Sequence, residues 1–283
     1  MEAVGAAAAA AYGLHLFTDV FEPTVAEQLD PDRFTALTLV EREALTADTA
    51  RLRFRVSRQQ GGRATERAAG AVIAQGAWAV DVKDHLVQTF RTYTPVGWAA
   101  GGADGAGHCD LVVKRYTGGS VSRFLHGTQV GDQVEMRGPV LTWPYAAGRY
   151  KHVYMVAGGT GAAPMVQLAE RILADPADAA TRISLLYGAQ TAADLVFRRR
   201  LDALAAQHAG RLDVAYLVEH GAADAKAREG RPDAASVGAL VRGFDAAADV
   251  VLVCGPDAMM AAVCGERPVG PGRGQGTLRG VLH

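Results

Sequence analysis

HVYMVAGGTGAAPM, residues His152–Met165, is the stretch on which the reading of this chain turns. Val153–Ala157 is an apolar run of strand length, closed by Gly158, Gly159, Thr160 and Gly161. Pro164 then opens a helical pattern carried by Val166, Leu168, Ala169, Ile172 and Leu173. Strand, glycine turn and helix in this order point free backbone N–H groups and the positive end of a helix at an anion. Glycine allows the tight turn and lets a phosphate approach the backbone. Proline suits the first helical turn, where its missing N–H costs nothing. The same pattern also serves as a plain strand-to-helix connection, so the flanking sequence has to decide.

The chain has 283 residues, enough for about two domains. It is 49% hydrophobic and 21% charged, the composition of a globular protein. A net charge of −1 argues against nucleic acid as the main partner. Cys109, Cys254 and Cys264 are too few and too scattered for a disulfide framework or a zinc site, so no metal is expected. No apolar run reaches the roughly 18 residues of a membrane span. Residues 1–29 read as an alanine-rich leader, with Ala6–Ala11 as the stub of a possible anchor.

From residue 30 to 149 the pattern is one of short strands. Phe34–Val40 and Ala50–Val56 are strand-like, the second alternating Leu52, Phe54 and Val56 with Arg51, Arg53 and Arg55. Gln59–Ala69 reads as a polar loop, Ala71–Val80 as a weak strand and Val87–Thr94 as a strand. Gly97–Gly107 reads as a glycine-rich loop, Asp110–Tyr116 as a strand, and the residues from Gly118 to Leu125 as a short helix and its approach. Gln129–Arg137 reads as a turn and strand closed by Gly138–Pro139. About six short strands and one helix suit a small antiparallel barrel. From 150 to 283 strands and helices alternate. The strands are Val153–Ala157, Arg182–Tyr187, Leu212–Val218 and Val250–Cys254; helices lie near Pro164–Ala174, Asp194–His208, Ala234–Val241 and Pro256–Val263. That alternation predicts a parallel sheet with ligands at the carboxyl ends of its strands, where Gly158–Gly161, Glu219 and Cys254–Pro256 fall.

Four motifs stand in order: Arg91-Thr92-Tyr93-Thr94, Gly118-Gly119-Ser120-Val121-Ser122, Gly158–Met165 and Cys254–Met259. Together they resemble the NADH–cytochrome b5 reductase branch of the ferredoxin-reductase-like flavoenzymes, from about Asp30 to the end. The resemblance implies an α+β, two-domain fold: an antiparallel six-stranded FAD-binding β-barrel, then an α/β Rossmann-like parallel-sheet NAD-binding domain. It also implies hydride passing from NADH to FAD, and single electrons then passing to cytochrome b5 or a similar acidic haem protein. Arg91 would hold the FAD phosphates, Tyr93 would lie on the flavin ring, and Thr94 would hydrogen-bond near flavin N5. Gly118, Gly119, Val121 and Ser122 would cap the pyrophosphate, although a serine there also suits a plain helix N-cap. Val112, Lys114 and Tyr116 would run beside the flavin. Lys114 and Tyr116 share a face by alternation, as exposed Lys/Tyr pairs often do.

In the second half, Gly158, Gly159, Thr160 and Gly161 would take the dinucleotide, with Cys254, Gly255, Pro256 and Met259 at the nicotinamide. Thr94 and Cys254 would be the catalytic pair, although a lone cysteine in an apolar strand is also an ordinary core residue. Glu219 would accept hydrogen bonds from ribose hydroxyls and favour NADH over NADPH. The chain departs from relatives at Thr92, at Ala163, at Asp257 and Ala258, and in the run from Glu266 to His283, which reads as a shortened tail. The resemblance further implies association with a mitochondrial or endoplasmic-reticulum surface, with basic residues such as Arg123, Arg149 and Lys151 docking the acceptor. Two other readings stay open: a diaphorase or quinone reductase with another acceptor, and a redox-silent nucleotide-binding relative.

Overall fold

The computed structural model describes residues 29–56, 63–84, 86–100, 107–221 and 226–265. The expected leader, apart from Leu29, and the run from Glu266 that reads as a shortened tail lie outside them. Leu29 is buried in the core of the first domain.

The first domain contains β1 (Thr35–Ala44), β2 (Thr49–Val56), α1 (Arg63–Ala74), β3 (Gly76–Asp84), β4 (Thr89–Tyr93) and β5 (Gly97–Ala99), then β6 (Gly107–Lys114), α2 (Ser120–Gly127) and β7 (Gln133–Pro144). The strands form one sheet in the order β4-β3-β7-β1-β2-β6-β5, antiparallel throughout. Laid flat, its two edges would stand six strand spacings, about 29 Å, apart. Yet β4 and β5 are joined by Thr94–Val96 alone, and Tyr93 to Gly97 can reach only about 14 Å. The sheet therefore curls until its edges meet, which is the expected barrel with a seventh, three-residue strand.

Alternation fills the barrel. Leu52 and Phe54 of β2 and Leu111 and Val113 of β6 point inward, with Val121 and Leu125 of α2 closing one end. The opposite face of β6 carries Asp110, Val112 and Lys114. Asp110 is buried under Arg53, which gives it two hydrogen bonds of 2.7 and 2.8 Å.

Three stretches differ from the sequence reading. Gly97–Ala99, expected to open a glycine-rich loop, is strand β5, paired antiparallel with Asp110, Cys109 and His108. Part of the expected polar loop and of the weak strand after it is helix α1, because Ala69, Ala71 and Ala74 are strong helix formers and outweigh the Gly/Arg-rich appearance of the segment. Gly138–Pro139 does not end β7. Ala79 pairs with Val140 and Asp81 with Arg137, so Gly138 and Pro139 sit in a bulge opposite Val80, a place where a strand tolerates a residue without an N–H.

The second domain holds β8 (His152–Gly158), α3 (Ala162–Ala174), β9 (Arg182–Ala189), α4 (Arg198–Gln207), β10 (Leu212–Val218), β11 (Ala227–Glu229), α5 (Ala234–Leu240), β12 (Asp249–Cys254) and α6 (Asp257–Cys264). Helix α4 starts at Arg198 rather than Asp194, because Thr191 and Asp194 close a separate turn with a reciprocal capping box. The sheet is parallel, in the order β11-β10-β9-β8-β12. From β8 the chain steps outward through β9, β10 and β11, then returns to β12 on the other side of β8. The carboxyl ends of β8 and β12 thus flank the point where strand order reverses, the usual crevice for a ligand in such sheets.

Helix α3 joins the domains. Val96, Val112 and Tyr145 of the first domain are buried in the core of the second, beside Met165 and Ala169. Gln167 accepts from Trp78 N at 2.9 Å and donates to Pro95 O at 3.0 Å. Arg171 donates to Ile73 O at 2.8 Å. Arg200, held by Glu170 at 2.6 Å, donates to Val96 O.

Candidate active site

A cavity of about 430 Å³ opens between the domains, over the crevice of the parallel sheet. Its floor is the turn after β8. Gly159 has φ +53°, a left-handed conformation that glycine adopts freely, and the space above its Cα is open. Gly161 is required by close approach. A Cβ there would lie 2.5 Å from Cys254 O and 2.7 Å from Gly255 Cα, and backbone cannot give way. The turns after β8 and β12 therefore pack main chain on main chain. Gly158, Gly159, Thr160, Pro256 and Met259 line the cavity, while Gly161, Cys254 and Gly255 back its wall. Helix α3 starts directly after this turn and sends its positive end toward it.

The barrel supplies the facing wall through Thr49, Lys114 and Tyr116. Lys114 Nζ bridges the domains, 2.8 Å from Asp48 of the barrel and 3.3 Å from Asp194 of the second domain. Burial pulls the Lys114 amine down, but the two carboxylates outweigh it and hold its pKa above the ordinary value. Burial likewise pushes Asp48 up, and bonds from Lys114, Thr46 and Thr49 outweigh that to hold it below the ordinary carboxylate value.

Arg91 and Tyr93 share one face of the edge strand β4. Arg91 is exposed, with Nη1 resting on Phe90 O at 2.8 Å. Tyr93 is half-buried against the barrel core. Burial pushes its phenol up to about 12, with Arg91 opposing the shift and Tyr116 adding to it. Tyr116 lines the cavity, whereas Arg91 and Tyr93 are not among its lining residues. Thr92 faces the other way, its hydroxyl donating to Asp81 Oδ1 at 2.7 Å. Thr94 sits in the turn that Gln167 grips through Pro95.

The α2 approach is knotted on itself. Ser122 is buried; its Oγ accepts from Tyr116 N at 3.2 Å and donates to Gly119 O at 3.3 Å. Gly119 itself is the N-cap, with no side-chain cap bond, so Ser122 is not a plain N-cap. Gly118 is exposed and Val121 is buried in the barrel, which leaves only its main chain for a ligand. The Val112 side chain is likewise committed, to the interdomain core.

Glu219, just past β10, lines the cavity next to Arg231, whose Nη2 lies 2.6 Å from Glu219 Oε2. Arg231, Asp194, Gln190 and Thr49 are lining residues that the sequence reading passed over. The Thr191-to-Asp194 spacing carried a capping-box signal for Asp194. Arg231 follows a three-residue strand too short to show any period.

The residues suit a dinucleotide and a flavin. A glycine turn with open space above it, at a helix start, is a cradle that any Cβ at Gly159 would intrude upon. Thr49 of β2, Lys114 of β6 and Tyr116 just beyond β6 meet it from the other domain. Comparisons with known proteins agree. Residues 36–145 match the family model described as oxidoreductase FAD-binding domain, and residues 155–265 the one described as oxidoreductase NAD-binding domain. The chain is 31% identical over 282 residues to NADH-cytochrome b5 reductase 2 of Scheffersomyces stipitis, covering 97% of this chain and 89% of the relative. It is 31% identical over 271 residues to NADH-cytochrome b5 reductase 1 of Cryptococcus neoformans, covering 93% and 86%. Among solved structures, the cytochrome b5 reductase domain of Ulva prolifera nitrate reductase superposes with a TM-score of 0.64 at 27% identity, covering 83% of this chain and 91% of that one. Fold, cavity and kinship lead to one conclusion: the chain belongs to the NADH-cytochrome b5 reductase family, enzymes with an FAD-binding and an NAD-binding oxidoreductase domain.

Proposed function

We propose that this chain takes hydride from NADH onto FAD and hands single electrons to an acidic haem protein of the cytochrome b5 type. The observation that supports it most is the shared cavity: the glycine turn after β8 and the Thr49, Lys114 and Tyr116 wall of the barrel open onto the same space. Bound FAD supplies the redox chemistry, accepting a hydride and releasing electrons one at a time. The protein's part is placement. Arg91 and the Gly118–Ser122 turn would hold phosphate oxygens, Tyr93 would pack on the ring system, and Thr94 would offer it a hydroxyl. Gly158–Gly161 would hold the dinucleotide phosphates, and Cys254 with Pro256 and Met259 would shape the wall at the nicotinamide. Lys114, held between Asp48 and Asp194, would fix the barrel wall against the second domain beside the same cavity.

The acceptor reading draws on the curated relatives, whose names specify cytochrome b5. Arg123, exposed on α2, and Lys151 are the basic residues offered to it; Arg149 is partly engaged, lying 5.0 Å over the Tyr150 ring. Among the described residues no helix is long and apolar enough to cross a membrane. The same reading extends to a mitochondrial or endoplasmic-reticulum surface, which cell fractionation tests.

Anaerobic stopped-flow mixing of the FAD-loaded chain with NADH tests the central claim. Rapid loss of the oxidised flavin band, followed by reoxidation on adding cytochrome b5, is the expected result. Reoxidation by quinones but not by cytochrome b5 would favour the diaphorase reading. FAD that never bleaches would leave a redox-silent nucleotide binder.

A further inference from the structure

At one rim of the cavity the acid expected to choose the coenzyme does not stand alone. Glu219 follows β10 and Arg231 follows β11, and the parallel pairing of Val218 with Glu229 brings the two strand ends together. Arg231 Nη2 and Glu219 Oε2 are 2.6 Å apart, and both residues line the cavity. The Glu219 side chain is 23% exposed and that of Arg231 72%. The carboxylate is thus tucked beneath a guanidinium that keeps most of its surface open. Asp233, two residues further on, is turned away to cap α5 through Ser236 N at 2.8 Å.

A bare carboxylate at this strand end accepts hydrogen bonds from ribose hydroxyls and repels a 2′-phosphate. A carboxylate paired at 2.6 Å adds no net charge to the rim. The outermost group is then a forked donor whose geometry matches phosphate oxygens. We propose that Arg231 admits the 2′-phosphorylated form of nicotinamide dinucleotide, so that the cavity holds both coenzymes rather than the unphosphorylated one alone. Glu219 keeps its ribose contact, and Arg231 turns what would be a barrier to the 2′-phosphate into a second handle. The inference rests on the reading of the cavity as a dinucleotide site.

Calorimetric titration of the FAD-loaded chain with 5′-AMP and with 2′,5′-ADP separates the two layers, because it reads binding without turnover. The expected result is 2′,5′-ADP binding within about tenfold of 5′-AMP, weakening as salt rises. Arg231→Ala, a change at an open surface position, should weaken 2′,5′-ADP about 10- to 100-fold more than it weakens 5′-AMP, the size of a lost charge-assisted hydrogen bond. Arg231→Lys should restore part of that loss. Glu219→Gln should tighten 2′,5′-ADP and loosen 5′-AMP. A native chain that binds 5′-AMP but rejects 2′,5′-ADP overturns the proposal and leaves the dinucleotide site standing. So does an Arg231→Ala chain that loses both ligands equally, since the guanidinium would then be packing on the adenosine. A chain that binds neither ligand, nor NAD+, overturns the dinucleotide reading and the proposal with it.

Discussion

At Gly161 one hydrogen atom decides whether two strands can share a crevice. Any larger side chain meets the Cys254 carbonyl and the Gly255 backbone at 2.5–2.7 Å, and neither can rotate aside. Gly161→Ala should therefore cost about 1–3 kcal/mol through forced backbone displacement. Thermal unfolding would register it, and NADH affinity should fall together with the melting temperature. At Gly159 the same substitution meets open space but a φ of +53°, so the penalty there is conformational and should be smaller, of order 1 kcal/mol. The glycine turn was readable from its letters alone, because only glycine satisfies both demands. The position of Thr92 was not. Whether a threonine on an edge strand faces a ligand or an aspartate on the neighbouring strand depends on register, and here the register sets it opposite Asp81.

Among the elements, α3 does two jobs at once. Its first turn follows the phosphate cradle, while Gln167 and Arg171, four residues apart, bond to the barrel directly and Glu170 holds Arg200 against Val96 O. Gln167→Leu would leave Trp78 N–H and Pro95 C=O without their partner, at a cost of about 1–3 kcal/mol. Urea unfolding should report that loss, and the turn bearing Thr94 should loosen, seen as weaker retention of FAD on dialysis. The strands of the second domain were legible because β8 and β9 are buried nearly throughout and so read as unbroken apolar runs. In the barrel, β2 was legible through its period of two. Helix α1 and the far half of β7 were not. One is an alanine-rich segment beside a glycine-rich loop, and the other is a strand that passes through a Gly–Pro bulge only because the partner strand shifts to meet it. The bonds from α3 to the barrel were equally hidden, since nothing in Gln167 says that its partners lie 89 and 72 residues away.

For the whole molecule, the Lys114 bridge makes the domain interface sensitive to pH at both extremes. Asp48, with its pKa below the ordinary 3.8, stabilises the fold above that value, and the contribution fades as pH falls through its folded pKa. Lys114, with its pKa above the ordinary 10.5, stabilises the fold below that value, and the contribution fades as pH rises through its folded pKa. Lys114→Met should flatten both limbs of a stability–pH profile measured by thermal melts. The two domains are also sewn together at their connector. Asp178 of the second domain is fully buried and accepts from Tyr145 Oη at 2.7 Å, Gly148 N at 2.7 Å and Thr181 Oγ1 at 3.1 Å. Tyr145 precedes the place where strand–helix alternation begins, yet its ring is buried in the second domain's core. Anyone dissecting the gene at residue 150 would thus strip a structural plug from the downstream half and leave Asp178 facing a hole. A fragment beginning further upstream, at Leu141, carries its plug with it and should be the soluble one of the two.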